Sequence, residues 1–290
     1  MSATMTVPAP WAGVGKPLHV TVGADYTAIM EQAGLNWRVE GRPVYDGQGM
    51  RIPHYQANTR VDTGVVLGIP TEKYRIVQND ELFIMVEGLL GESCTVLRAG
   101  ASDEGRSVWA IVEAATPHTV GGIPCKLALA VTNAHTGLNS FQVRLLPQLP
   151  SGAVFPLKVG RRVVYLRHTL NVANRMDVVR MTLNLGERYM ATLDALADEL
   201  TTPADWGALT QKWLPPTERA NARMEFARTL LKHTDVESRL EGTKWGFLVA
   251  AAEVVNRLGP ARDTTRSAER RLETFLEGPE LLDRALAAVK

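Results

Sequence analysis

The residues with most chemical content are cations alternating with one aromatic. Over Gly160–Arg167, Arg161, Val163, Tyr165 and Arg167 recur with period two, so an extended chain sets two guanidinium groups and a ring on one face. Phosphate backbones call for Lys and Arg in register along a strip, and an aromatic face offers stacking that tolerates any base, so the pattern suits single-stranded nucleic acid. On the preceding segment Gln142 and Arg144 alternate with Phe141, Val143 and Leu145 and extend the strip. Between positions 151 and 180 the cations Lys158, Arg161, Arg162, Arg167, Arg175 and Arg180 face Asp177 alone, while the whole chain carries a net charge of only +1. The positive field is local. The expected DNA-binding set is therefore Arg144, Lys158, Arg161, Arg162, Tyr165, Arg167 and Arg175, with Lys244 added from a separate segment. The competing reading is a solvated sheet face, or arginines meeting acidic helices of a neighbouring subunit, since near-neutral net charge withholds the global support expected of a nucleic-acid binder.

Other chemistry is hard to assemble. A GxxxxGK[ST] phosphate loop is absent, because Gly15-Lys16 has no glycine at the required spacing and is followed by Pro17. Neither HExxH nor GxSxG occurs, and His19, His54, His118, His135, His168 and His233 are scattered singly. The carboxylate groups Asp194, Asp198, Glu199 and Glu269, Glu273, Glu277 have the spacing of solvated helix faces near arginines. Cys94 and Cys125 lack metal-ligand spacing and read as reduced, buried thiols. The chain is expected not to be an enzyme and to need no metal or cofactor.

The elements that position the strip follow from periodicity. Leu127, Leu129 and Val131 alternate, the Asn133-Ala134-His135-Thr136-Gly137 cluster turns, and Phe141, Val143 and Leu145 resume, which predicts a hairpin. Val163–Leu166 predicts a third strand. A long helix is expected from His168, with Val172, Met176, Val179, Leu183, Gly186, Met190, Leu193, Ala197 and Leu200 as a heptad-like seam that packs on the chain's own sheet or on a neighbour. Upstream, Asp25 caps a short helix ending at Gly34, Asn79 begins another, and strands are expected at 65–69, 74–77, 95–97 and 107–112, with extended chain from Trp37. Further helices fall at 206–214, 217–232, from Thr243 to Gly259-Pro260, at 263–276 and after Gly278-Pro279. The fold class is α+β: an antiparallel sheet core with a long helix over residues 1–200, and a helical C-terminal region over 201–290. The 290 residues, 45% hydrophobic, are enough for a full core. Lacking a long uncharged apolar run or a signal-peptide pattern, the chain is expected to be soluble and cytoplasmic, with no membrane partner.

Several short motifs occur in an order that resembles a phage- and plasmid-borne family known only as a domain of unknown function. They are Trp11-Ala12-Gly13-Val14-Gly15, Ala33–Val39, Asp62–Gly68, Tyr74–Asn79, Thr132–Gly137, Arg167–Asn171 and Gly242-Thr243-Lys244-Trp245-Gly246. The resemblance spans nearly the whole chain, and none of the motifs is a catalytic signature. The first usually carries a histidine where this chain has Ala12, and a Cys-x-Asn-Thr element usual before the Arg-His-Thr segment is missing around 160–166. Any family chemistry resting on those positions is lost here.

A hairpin, a third strand and a long helix in a phage-like chain without a nucleotide motif also look like the core of the phage single-strand annealing proteins Redβ, RecT and Erf. That resemblance is one of fold alone. It implies ATP-independent binding and annealing of single-stranded DNA by a homo-oligomeric ring or filament in phage recombination or replication, with a phage nuclease as a further partner. The alternative is a phage host-interaction or counter-defence protein whose basic hairpin meets an acidic protein. In the Gly242–Gly246 segment, Thr243 is expected to cap a helix and Trp245 to enter the core, with Lys244 free to touch phosphate.

Overall fold

In the computed structural model, which describes residues 7–18, 25–91, 94–137, 141–166, 175–215, 222–232, 234, 240–258 and 265–290, period-two apolar segments build two antiparallel sheets. The strands are β1 (Lys16–Pro17), β2 (Val39–Tyr45), β3 (Arg51–Arg60), β4 (Val66–Gly68), β5 (Thr95–Ser102), β6 (Ser107–Glu113), β7 (His118–Val120), β8 (Ile123–Ala134), β9 (Phe141–Gln148) and β10 (Val163–Leu166). The larger sheet has the order β1-β5-β6-β8-β9-β10, with β7 paired to β8, and the smaller is β2-β3-β4. The helices are α1 (Tyr26–Ala33), α2 (Asn79–Gly91), α3 (Arg175–Glu199), α4 (Trp206–Trp213), α5 (Ala222–Lys232), α6 (Lys244–Arg257), α7 (Thr265–Glu277) and α8 (Glu280–Val289). The class is α+β, as the periodicities imply.

Register sorts the large sheet into two faces. Val131, Val143 and Val164 stand side by side on one, and Thr132, Gln142 and Tyr165 on the other. Ala128 to Val131 on β8 and Val143, Leu145 and Leu146 on β9 are fully buried, so both faces are covered. On the first face lies α3. Its Gly186 sits so close that a Cβ there would stand 2.6 Å from Leu127 Cδ2, which is why the seam tolerates a helix-interior glycine. The seam is spent on the chain's own sheet: Val179, Met190, Leu193, Ala197 and Leu200 are all buried within the same hydrophobic cluster as β8 and β9. On the second face α7 stands opposite Gln142 and Thr132.

Local signals set the helix ends. Asp25 Oδ1 accepts from Ala28 N at 2.8 Å, and Gly34 closes α1 in the left-handed region at φ +69°. Thr243 Oγ1 accepts from Gly246 N at 3.0 Å and starts α6, whose Trp245 is 2% exposed. The stretch 167–174, where the long helix was expected to begin, lies outside the described residues. One expected strand does not form: Tyr74–Val77 has no ladder, because side chains meet its polar groups instead. Gln56 Nε2 donates to Tyr74 O (3.2 Å) and Asn133 Nδ2 donates to Val77 O (3.0 Å), while just beyond the segment the Gln78 amide imitates a strand against Val39, accepting from its N and donating to its O. The β2–β3 hairpin exceeds the single extended start expected at Trp37. Its outer half, from Gly41 to Tyr55, is exposed on both sides apart from half-buried Val44, so no alternation marks it.

Candidate nucleic-acid interface

Among the described residues β10 is the last strand of the large sheet, bonded to β9 on one side only. Its period-two pattern divides it as expected: Val164 is buried against the core while Tyr165 is 62% exposed on the other side. Arg161 leads into the strand, exposed, with Nε donating to Val163 O at 3.3 Å. Opposite it, α3 presents Arg180, Asn184 and Arg188 at four-residue intervals, hence on one helix face. Together with Val164 and Asp177 they line an open cleft of about 390 Å³. Arg161, Arg180 and Arg188 are exposed, and none has an ion-pair partner among the described residues. Arg188 lay outside the sequence-derived set, and Arg180 counted there only towards local charge. Their spacing on a helix already expected was the signal that could have found them.

The remaining expected residues are placed differently from one another. Arg162 points inward at 9% exposure and donates from Nη2 to Glu277 O at 2.7 Å, a cation at the C-terminal end of α7 where the helix dipole favours it. Lys158 is ion-paired with Asp283 of α8. Arg144 shares the Tyr165 face by register but is half-buried, donating from Nη1 to Thr132 Oγ1 at 3.2 Å. Burial lowers its pKa below the usual arginine value, Arg162 adds to that, and Tyr165 and Glu277 oppose it. Arg167 lies outside the described residues, as does the side chain of Arg175 at the first position of α3. Lys244 begins α6 beside Thr202, to whose carbonyl its backbone N donates. That is past the C-terminal end of α3, which itself lies about 22 Å of helix rise beyond Asn184. Lys244 therefore does not join the β10 cleft.

The structure brings most of the short sequence motifs together at a second place, around buried His135. Asn79 Nδ2 donates to Leu35 O (2.9 Å) and Trp37 O (3.2 Å), which leaves Asn79 Oδ1 to accept from His135 Nε2 at 2.9 Å and fixes the proton on that nitrogen. Asn58 Nδ2 donates to His135 O at 2.7 Å, Trp37 packs edge-on to the imidazole, and Arg60 stacks 4.2 Å from the Trp37 ring centroid. Gly68 permits the approach of Thr136, whose carbonyl oxygen would be 2.4 Å from a Cβ there. This network holds the small sheet, the start of α2 and the β8–β9 turn to one another.

The chain belongs to the family described as Domain of unknown function (DUF932), whose model matches residues 66–276, well over half of it. The matched region contains β4 through nearly all of α7, and so both the β10–α3 cleft and the His135 side of the network. No curated relative and no solved structure matches the chain. Among the described residues no helix is long and apolar enough to cross a membrane.

Proposed function

We propose that this protein binds single-stranded DNA and anneals complementary strands without ATP, as a homo-oligomer serving phage or plasmid recombination or replication. The observation that carries the reading is the β10–α3 cleft, where three exposed arginines without ion-pair partners among the described residues face one carboxylate, Asp177. Arg180 and Arg188 are separated by about 12 Å of helix rise, long enough to follow a strand past more than one phosphate. Arg161 adds a third contact across the cleft. Tyr165, exposed on the far side of the edge strand, supplies a ring on which a base can stack. Annealing needs several strand segments held at once, and the edge strand β10 offers backbone groups through which a second copy can extend the sheet.

The test is annealing of two complementary labelled oligonucleotides in the absence of any nucleotide. Acceleration by the protein, lost on replacing Arg161, Arg180 and Arg188 together by Ala, is the expected result. Absence of both annealing and single-strand binding at about 50 mM salt, where such contacts are strong, rejects it. In that case the same cleft would serve an acidic protein surface in a host-interaction role.

A further inference from the structure

Helices α5, α6, α7 and α8 border a cleft of about 410 Å³, inside the range of roughly 300 to 1,000 Å³ that small-molecule sites occupy. Val255 and Leu258 of α6 and Phe275 of α7, all nearly buried, line it with hydrocarbon. Half-buried Met224 of α5 and Leu281 of α8 continue the apolar lining towards solvent. Apolar surface kept open in a concavity favours an apolar occupant.

The charged part of the lining is cationic. Arg270, Arg271 and Arg284 meet one carboxylate there, Glu280. Arg270 is exposed, and none of the three arginines has an ion-pair partner among the described residues. The other two are held by backbone carbonyls: Arg271 Nη2 donates to Ala12 O at 3.3 Å, and Arg284 Nη2 donates to Trp213 O at 2.9 Å. Trp213 in turn donates from Nε1 to Leu281 O at 2.8 Å, so Leu281 and Arg284, one turn apart on α8, are both fixed to α4 without a ligand. A neutral carbonyl takes up one of the five N–H groups of a guanidinium and leaves its positive charge uncompensated. Exposed arginines alone are common, and so are scattered apolar side chains. Fixed cations and hydrocarbon lining one cleft fit an anion that has an apolar body.

We propose that this cleft binds an amphiphilic anion, a hydrocarbon chain ending in a carboxylate or phosphate, with the oxyanion at the arginines and the chain against Val255, Leu258 and Phe275. The site does not depend on the DNA reading. Calorimetric titration of the full chain with octanoate and octyl phosphate tests it, with inorganic phosphate and octanol as the separate halves. Saturable binding of an amphiphile is expected, with either half alone about tenfold weaker or more, and the tighter of the two amphiphiles identifies the headgroup. Along butanoate, hexanoate and octanoate the affinity should rise about fourfold for each methylene that the cleft covers. Arg270→Ala should weaken octanoate about threefold or more without moving the melting curve, because Arg270 is exposed. Replacing Arg270 and Arg284 together by Ala should weaken it about tenfold or more, while Arg161→Ala should not change it. If the double variant fails to fold, Arg270→Ala alone still decides. Equal affinity for inorganic phosphate and octyl phosphate, or an Arg270→Ala protein that binds octanoate as the native chain does, overturns the proposal. So does the absence of saturable heat up to roughly 10 mM of either amphiphile.

Discussion

Replacing Arg161, Arg180 and Arg188 together by Ala gives a number that the geometry sets in advance. Each phosphate contact on a single strand releases about 0.7 of a counterion, so three arginines contribute roughly 2 to the slope of log affinity against log salt. Between about 50 and 200 mM salt, a fourfold change, the native chain should therefore lose roughly 16 to 20 times more affinity than the triple variant. Fluorescence anisotropy of a short labelled oligonucleotide across that range measures it. Because all three side chains are exposed, each change should move stability by no more than about 0.5 kcal/mol, and matching melting curves make the slope interpretable. Arg42→Ala is the control, since Arg42 is ion-paired with Glu40 on β2 and should leave the slope alone. A triple variant that melts like the native chain and keeps its slope refutes the assignment of phosphate contacts to this cleft.

Further outcomes follow from two buried groups. Trp245 is 2% exposed and packs edge-on to Phe155 with ring centroids 6.4 Å apart, so Trp245→Ala should cost about 3 to 5 kcal/mol in urea unfolding; a loss below about 1 kcal/mol would mean that the ring does not anchor α6. Burial first, and then the charge of Asp194, push the Cys125 thiol up to about 12 from an ordinary 9.0, so the native thiol should resist alkylation near pH 8 and react only on unfolding. The folded pKa is the higher one, so this contribution to stability is full below about 9 and is lost as pH rises towards 12; Cys125→Ser should remove that part of the alkaline decline, and an unchanged profile would contradict the assignment.

The sheet core and the helices were legible because their burial is one-sided or complete. Leu127, Leu129 and Val131 declare β8, and the spacing from Val179 to Leu200 declares α3. Caps at Asp25 and Thr243 were legible for the same reason: one oxygen meets one nearby N–H. Tyr74–Val77 misled because its apolar residues look strand-like while its carbonyls at Tyr74 and Val77 accept from the side chains of Gln56 and Asn133, distant in sequence. The β2–β3 hairpin was hidden because Tyr45, Met50, Ile52 and Tyr55 are exposed on it, and without a buried face there is no period to detect. At the candidate cleft, local charge pointed to the surroundings of β10 but did not separate residues that line the cleft from neighbours that turn away from it. Arg161 and Arg162 are adjacent in sequence, yet one is open to solvent and the other closes the end of α7. Composition cannot tell such neighbours apart, since the difference is which side of an edge strand each one takes.

Two clefts divide the end of the sheet by charge, one on the α3 side and one between α7 and the second sheet face. On the α3 side, Arg161, Arg180 and Arg188 attract phosphate; on the α7 side, Asp103, Glu273 and Glu277 repel it. Tyr165 belongs by register to the α7 side, but α7 covers Gln142 and leaves Tyr165 exposed. On the proposed reading, a strand lying on the arginines would reach the ring only by turning around β10, whose second edge has no partner among the described residues, and could not continue under α7 without meeting the carboxylates. On that reading, the acidic cleft would limit the path of a strand as much as the basic one would draw it in. The same exclusion argues for bases presented outward at the sheet edge, where a second strand has access, rather than buried against the protein. An annealing protein needs that presentation, whereas one that only stores single strands does not.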